Sequence, residues 1–245
     1  MSHGIYNAVS GAVAQIQRMD MLSNNLANVS TATFKSDEIS FAEVLARAAR
    51  KGVQPGGSFV RTDEIRRDLH PGMLRQTDSP NDVALEGPGY LCVVDRNREL
   101  YTRGGTLEIR SDGVLTDRDG LPLLGLNNKP IRPGIDGGPL TIQRDGTVLV
   151  DQAQIGQLKL VEFERPELLD RQGSTRYAAT SAVKRRRAAT TTVRQGEVEQ
   201  SNVNAVRQIS SMIIASRSYE AFHRVISTMK EIDHRTATTL GQVTG

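Results

Sequence analysis

A chain of 245 residues with 38% hydrophobic and only 4% aromatic side chains, and no Trp, must build its core chiefly from Val, Leu, Ile and Ala, which suits one thin domain or one completed by assembly. The formal charge of +3 is too small to mark a nucleic-acid binder. The single cysteine, Cys92, excludes an internal disulfide and is expected as a small buried apolar side chain. The N-terminus lacks the basic-then-apolar order of a secretory signal, and no stretch reaches the roughly 18 apolar residues of a spanning helix.

From Ile5 the apolar positions Ile5, Val9, Ala12, Ile16, Met19, Ser23 and Leu26 alternate steps of four and three, which predicts one long helix with a narrow coiled-coil-like seam. Gly4, Ala8, Ser10, Gly11, Ala12 and Ala14 crowd its first half with small side chains that would let a neighbouring helix approach closely. Pro55-Gly56-Gly57 and Pro71-Gly72 then mark an extended connector, placed at 37–74. From 75 to 196 short alternating runs predict an all-β domain, with strands at 90–94, 100–102, 106–109, 121–124, 140–142, 147–150 and 157–164. Asp112-Gly113, Asp119-Gly120 and Asp145-Gly146 signal its tight turns, where Gly accepts the positive φ required. The stretch 180–196 reads as a second extended segment. A last helix is predicted within 197–245, with a seam of Ala205, Ile209, Met212, Ser216, Tyr219, His223 and Ile226, widened by Ile213, Phe222 and Met229, and with Gln200-Ser201-Asn202 supplying its cap. The expected fold is therefore α+β: the N- and C-terminal long helices pair as a coiled coil around a central all-β domain, with segments 1–36, 37–74, 75–196 and 197–245.

Little in this chain points to chemistry. His3, His70, His223 and His234 lie in separate segments without metal-ligand spacing, and no nucleophile elbow or phosphate-binding loop occurs. Gly87-Pro88-Gly89-Tyr90 leads into a strand and reads as a turn, and Asp117 with Asp119 read as turn residues. No catalytic, cofactor-binding or metal residue is predicted, and no cofactor. The run Lys184-Arg185-Arg186-Arg187 is the sharpest charge feature. It is expected as a solvated loop, the competing reading being a module that grips an acidic polymer such as the cell wall's. A hydrolase ranks third, because it would need convergent acids.

One stretch is more specific. Asn24-Asn25-Leu26-Ala27-Asn28-Val29-Ser30-Thr31, followed by Phe34 and Lys35, resembles the signature of flagellar rod and hook proteins, with Thr33 standing where that family usually has Gly. A Gly there would relieve a strained φ at the chain reversal after the helix. Glu199-Gln200-Ser201-Asn202-Val203-Asn204, Arg217-Ser218-Tyr219-Glu220-Ala221 and Val225-Ile226 resemble the opening and body of the family's last helix. Asn81 to Tyr90 and Tyr101-Thr102-Arg103-Gly104-Gly105 resemble its β-domain, so nearly the whole chain is covered. Length and the ending Glu231-Ile232-Asp233 look more like the proximal-rod branch than the distal-rod branch.

The resemblance implies a structural subunit of the bacterial flagellar basal-body rod, polymerising helically through its terminal helices to transmit torque, and no enzyme. Its implied partners are other rod proteins, copies of itself and the flagellar type III export apparatus, with no nucleic acid and no membrane span. Export without a cleaved signal and periplasmic assembly follow from the same resemblance, as does a possible export element at Phe41 and Leu45. The assembly seam would be Ile5, Val9, Ala12, Ile16, Met19, Leu26, Ile209, Met212, Tyr219 and Ile226.

Overall fold

The computed structural model describes residues 2–39, 65–134, 138–180 and 183–243. They fall into two compact units. A helical unit takes in 1–27, 37–67 and 203–245, and a β unit takes in 28–36 and 68–202. The predicted element at Phe41 and Leu45 and most of the predicted connector lie outside the described residues. The flanks of that connector are strands, β1 (Asp37–Ile39) and β2 (Ile65–Arg67), paired antiparallel.

The helical unit holds α1 (Ser2–Ala27) and α2 (Ala205–Val243), of 26 and 39 residues. Neither contains Pro, so nothing interrupts the backbone ladder. The cap of α2 differs from expectation: it is Asn204, whose Oδ1 accepts from the Arg207 amide at 3.0 Å, while Asn202 is engaged elsewhere.

The helices lie antiparallel. A Cβ built at Gly4 would come within 3.0 Å of Met229 Cε, and one at Gly11 within 2.6 Å of the Phe222 ring. This arrangement corrects the expected coiled coil. The buried face of α1 is Ala8, Gly11, Ala12, Ala14, Leu22 and Asn25, and that of α2 centres on Ala215. Of the predicted seam, Val9 (42%), Ile16 (40%) and Ile209 (47%) are exposed, Ile5, Met19, Leu26, Met212, Tyr219 and Ile226 are half-buried, and only Ala12 is buried. The physical reason is size. With no side chain at Gly4 and Gly11, Met229 and Phe222 of α2 seat directly on the α1 backbone, so this face turns inward while Val9, Val13 and Ile16 beside it stay outside.

Among the described residues of the β unit every ladder is antiparallel. A six-stranded sheet runs β13 (Asp170–Gln172), β14 (Arg176–Ala178), β6 (Arg98–Thr102), β5 (Tyr90–Asp95), β12 (Leu160–Phe163), β15 (Arg185–Arg187). A four-stranded sheet runs β16 (Thr192–Gln195), β4 (Asp82–Glu86), β7 (Gly104–Ile109), β8 (Leu115–Asp117), and a three-stranded one β11 (Ala153–Gln157), β10 (Thr147–Val150), β9 (Leu140–Ile142). A two-stranded ladder joins β17 (Glu197–Glu199) to β3 (Leu74–Gln76). The Asp-Gly turns carry the expected positive φ at Gly113, Gly120 and Gly146. Two expectations are corrected. The stretch 180–196 carries β15 and β16 in place of an extended connector, and 121–124 makes isolated bridges in place of a strand.

Strand β5 explains where the core sits. Its residues alternate between two faces, so Leu91 and Val93 enter an aliphatic core with Val83, Leu85, Leu123 and Val148, while Tyr90 and Cys92 enter a second core with Tyr101, Phe163 and Tyr177. Rings meet edge-on in that second core, with Phe163 5.6 Å from Tyr90 and 4.8 Å from Tyr101 between centroids. Most of the β unit's few aromatics are thus spent in one place, and Cys92 is buried among them with its thiol pKa pushed up by desolvation.

Candidate functional site

The signature residues are built into two different structures. In the helical unit Asn25 is fully buried, and its side-chain amide copies a strand partner: Nδ2 donates to the Asp37 carbonyl at 2.8 Å, and the Asp37 amide donates back to Oδ1 at 2.9 Å. The signature Asn therefore fixes β1 in place. Asn24, Ala27 and Ser30 are exposed, and Leu26, Asn28 and Val29 are half-buried.

In the β unit Thr31 donates its hydroxyl to Asn28 Oδ1 at 3.1 Å, and the Phe34 amide donates to the Thr31 carbonyl at 3.3 Å, closing a turn. Thr33 in that turn has φ +63°, the left-handed conformation predicted from the Gly that the family usually has there. It is held by its amide, which donates to the Glu199 carbonyl at 2.8 Å. Phe34 is fully buried, with the Arg171 guanidinium 4.6 Å above its ring.

Lys35 is buried and forms an ion pair with Glu199, which is fully buried. Its ammonium also donates to the His70 carbonyl at 2.8 Å. Glu199 accepts three further ties on its carboxylate and strand: the Gly72 amide at 2.9 Å on the same oxygen as Lys35, Arg103 Nε at 3.2 Å on the other, and the β3 ladder. Arg103 in turn donates to the carbonyls of Gly87 (2.6 Å), Gly89 and Leu85 (3.0 Å), so it fixes the Gly87-Pro88-Gly89 turn. Burial pushes the Lys35 ammonium pKa down, against the pull of Glu199. Gly72 is required here, because a Cβ would fall 1.9 Å from the Gln200 carbonyl oxygen. Asn202 completes the cluster: it accepts from the Ser36 amide at 2.8 Å and donates to the carbonyls of Asp68 (2.8 Å) and His70 (3.3 Å).

Sequence reasoning quoted Lys35, Arg103, Glu199 and Asn202 within separate motifs without joining them. Both Lys35 and Glu199 stand among mostly polar neighbours in the sequence, so only their places in the two family motifs singled them out. Arg171 carried no signal at all. The basic run also reads differently in place. Arg185 to Arg187 form an exposed edge strand, with Arg185 paired to Glu99 and donating to Tyr101 Oη at 2.8 Å, and Arg186 3.2 Å from Glu162. Two of its charges are thereby matched inside the fold. His70 is exposed beside Asp68, and the exposed His223 ring lies 6.2 Å from Tyr219. Asp117 caps its own turn, accepting from the amides of Asp119 (3.1 Å) and Leu121 (2.8 Å), and pairs with Arg176 at 2.9 Å. No group of three acidic, His or Cys residues suited to a metal occurs among the described residues. None of the described helices is long and apolar enough to cross a membrane.

The chemistry of this arrangement is cohesion between chain segments. Residues 5–35 match the family described as flagella basal body rod protein, residues 84–150 the flagellar hook protein FlgE/F/G D1 domain, and residues 194–239 the flagellar basal body rod FlgEFG protein C-terminal region. The FlgF basal-body rod protein of Caulobacter vibrioides is 26% identical across 99% of this chain and 100% of its own length. FlgG of Buchnera aphidicola subsp. Schizaphis graminum is 31% identical across 95% of this chain and 97% of its own. FlgF of Escherichia coli K12 is 31% identical across 94% and 95%. Matched from end to end at this level, with the signature placed on α1 and the turn after it, the chain belongs to the flagellar basal-body rod protein family and is a structural component of the flagellar basal body.

Proposed function

We propose that this rod subunit polymerises helically by burying the outer faces of α1 and α2 against other rod proteins and copies of itself, so that the assembled rod transmits torque. The observation that carries the proposal is the unpartnered apolar surface of the helices: Val9, Val13 and Ile16 on α1, and Val206, Ile209, Ile213 and Ile214 on α2, are each 40% or more exposed. Full burial of a side chain of this kind contributes about 1.5–3 kcal/mol, so covering the two stripes favours association, whereas a lone subunit gains nothing from them. Export through the flagellar type III apparatus, with Phe41 and Leu45 as its recognition element, belongs to the same reading and rests on the family resemblance. The polymer-gripping alternative is weakened, because Arg185 and Arg186 already face Glu99 and Glu162.

The test is substitution on the exposed stripe, Ile16→Asp or Ile213→Asp. Each variant is expected to be missing from isolated basal bodies while the β unit of the purified protein keeps its unfolding midpoint. Basal bodies containing either variant at the normal level would overturn the proposal.

A further inference from the structure

The chain passes between the two units at four places, and three of the terminal residues on the β-unit side are Ser36, Asp68 and Asn202. They are tied to one another directly: Asn202 accepts from the Ser36 amide, donates to the Asp68 carbonyl, and the Asp68 amide donates to the Ser36 carbonyl at 2.9 Å. Just inside them Lys35 and Glu199 close on each other, Gly72 docks on Glu199, and the Gln200 amide donates to the Met73 carbonyl at 2.9 Å. Segments that lie far apart along the chain therefore meet in one collar.

We infer that residues 33–36, 68–76 and 197–202 form a latch that opens as one cooperative step, separate from the unfolding of the two hydrophobic cores, and that Glu199 is its keystone. The physical basis is the division of forces. Neither hydrophobic core contains a latch residue, and although the latch buries Phe34 and Val198, its segments are joined to one another by polar ties and by one carboxylate serving two buried cations. β17 pairs in a two-stranded ladder with β3, whose three residues are all exposed, and Val198 is the one apolar side chain that β17 buries against its departure. Once Glu199 leaves, Lys35 and Arg103 lose their shared anion, so the remaining ties have no intermediate resting point. The latch sets the exit of three chain segments at once, and Asn202 acts as a positioning residue for them.

Amide hydrogen exchange of the full-length protein and of Glu199→Gln tests this. In the wild type the amides of Thr33, Ser36, Asp68, Gly72, Gln200 and Asn202 are expected to share one level of protection, below that of Val93, Leu123 and Val148. In Glu199→Gln they are expected to lose protection together by roughly 10²- to 10³-fold while the core amides keep theirs. Asn202→Ala leaves the buried charges paired, so it gives the same pattern with a smaller loss and decides the matter if Glu199→Gln does not fold. Equal loss at latch and core amides in Asn202→Ala, or loss confined to its hydrogen-bonded neighbours, would overturn the latch.

Discussion

Gly11 of α1 lies against the Phe222 ring of α2 so closely that a Cβ on Gly11 would sit 2.6 Å from two ring carbons. The helix pair is thus built around the absence of a side chain. Gly in a helix interior costs roughly 0.5–1 kcal/mol relative to Ala in isolation, and close packing of the Phe222 ring on the bare backbone offsets it here.

Substitutions at this contact separate the two effects. Gly11→Val is expected to destabilise the helical unit by about 1–3 kcal/mol through overpacking. Gly11→Ala alone gains propensity but meets the ring, whereas Gly11→Ala combined with Phe222→Leu makes room for the methyl group and should melt higher than Gly11→Ala. Helical circular dichroism during thermal unfolding checks the order. A Gly11→Val variant as stable as the wild type would show that the helices do not meet there.

Thr33 gives a prediction of opposite sign. A β-branched residue at φ +63° is strained, and the left-handed conformation costs an L-residue roughly 1–2 kcal/mol that Gly does not incur. Thr33→Gly is expected to stabilise the β unit by about 0.5–1 kcal/mol after the larger chain entropy of Gly in the unfolded state is set against it. Urea unfolding measures the midpoint. A fall in that midpoint would mean that contacts of the Thr33 side chain outweigh the backbone strain.

Stability against pH is expected to have two limbs at one cluster. Burial opposes ionisation of Glu99, but hydrogen bonds from Lys159 and Arg185 outweigh it and hold its pKa below 4.5. A carboxylate with a lowered folded pKa supplies stability above its unfolded pKa and loses it as pH falls through the folded one. The acid limb therefore lies below about 4.5, and Glu99→Gln should flatten it. Tyr101 is the reverse case: burial pushes its pKa up to about 12, so the neutral form is favoured in the fold and stability falls as pH rises from 10 towards 12. Tyrosinate absorbance should show Tyr101 ionising late, and Tyr101→Phe should remove its contribution to that late step. A late step undiminished in Tyr101→Phe would overturn the assignment to Tyr101.

The terminal helices of the purified subunit are expected to exchange faster than the β unit. Their contact buries mostly Gly and Ala, whose small apolar area sets little against a backbone ordering cost of roughly 1–2 kcal/mol per residue. Amides of Ile16 and Ile213 should therefore exchange well before those of Val93, Leu107 and Leu158, and become protected on assembly. Slow exchange at both helices in a verified monomer would place their stability within the subunit itself.

What the sequence determined by itself was local. The apolar period of α1 and α2 and the Asp-Gly turns follow from interactions within a few residues, and each is visible without knowing the rest of the chain. The face on which the helices meet was decided only in the tertiary structure. The step of four and three marks Val9 and Ile16 as a seam just as well as it marks their smaller neighbours, and only the Met229 and Phe222 side chains seated on Gly4 and Gly11 select between them. The same holds for the basic run, where Arg185 reads as a solvated charge until β15 pairs with β12 and brings it to Glu99. Lys35 and Glu199 are the extreme case: separated by 164 residues, they become an ion pair because the fold excludes water from both, and a buried charge persists only beside its partner.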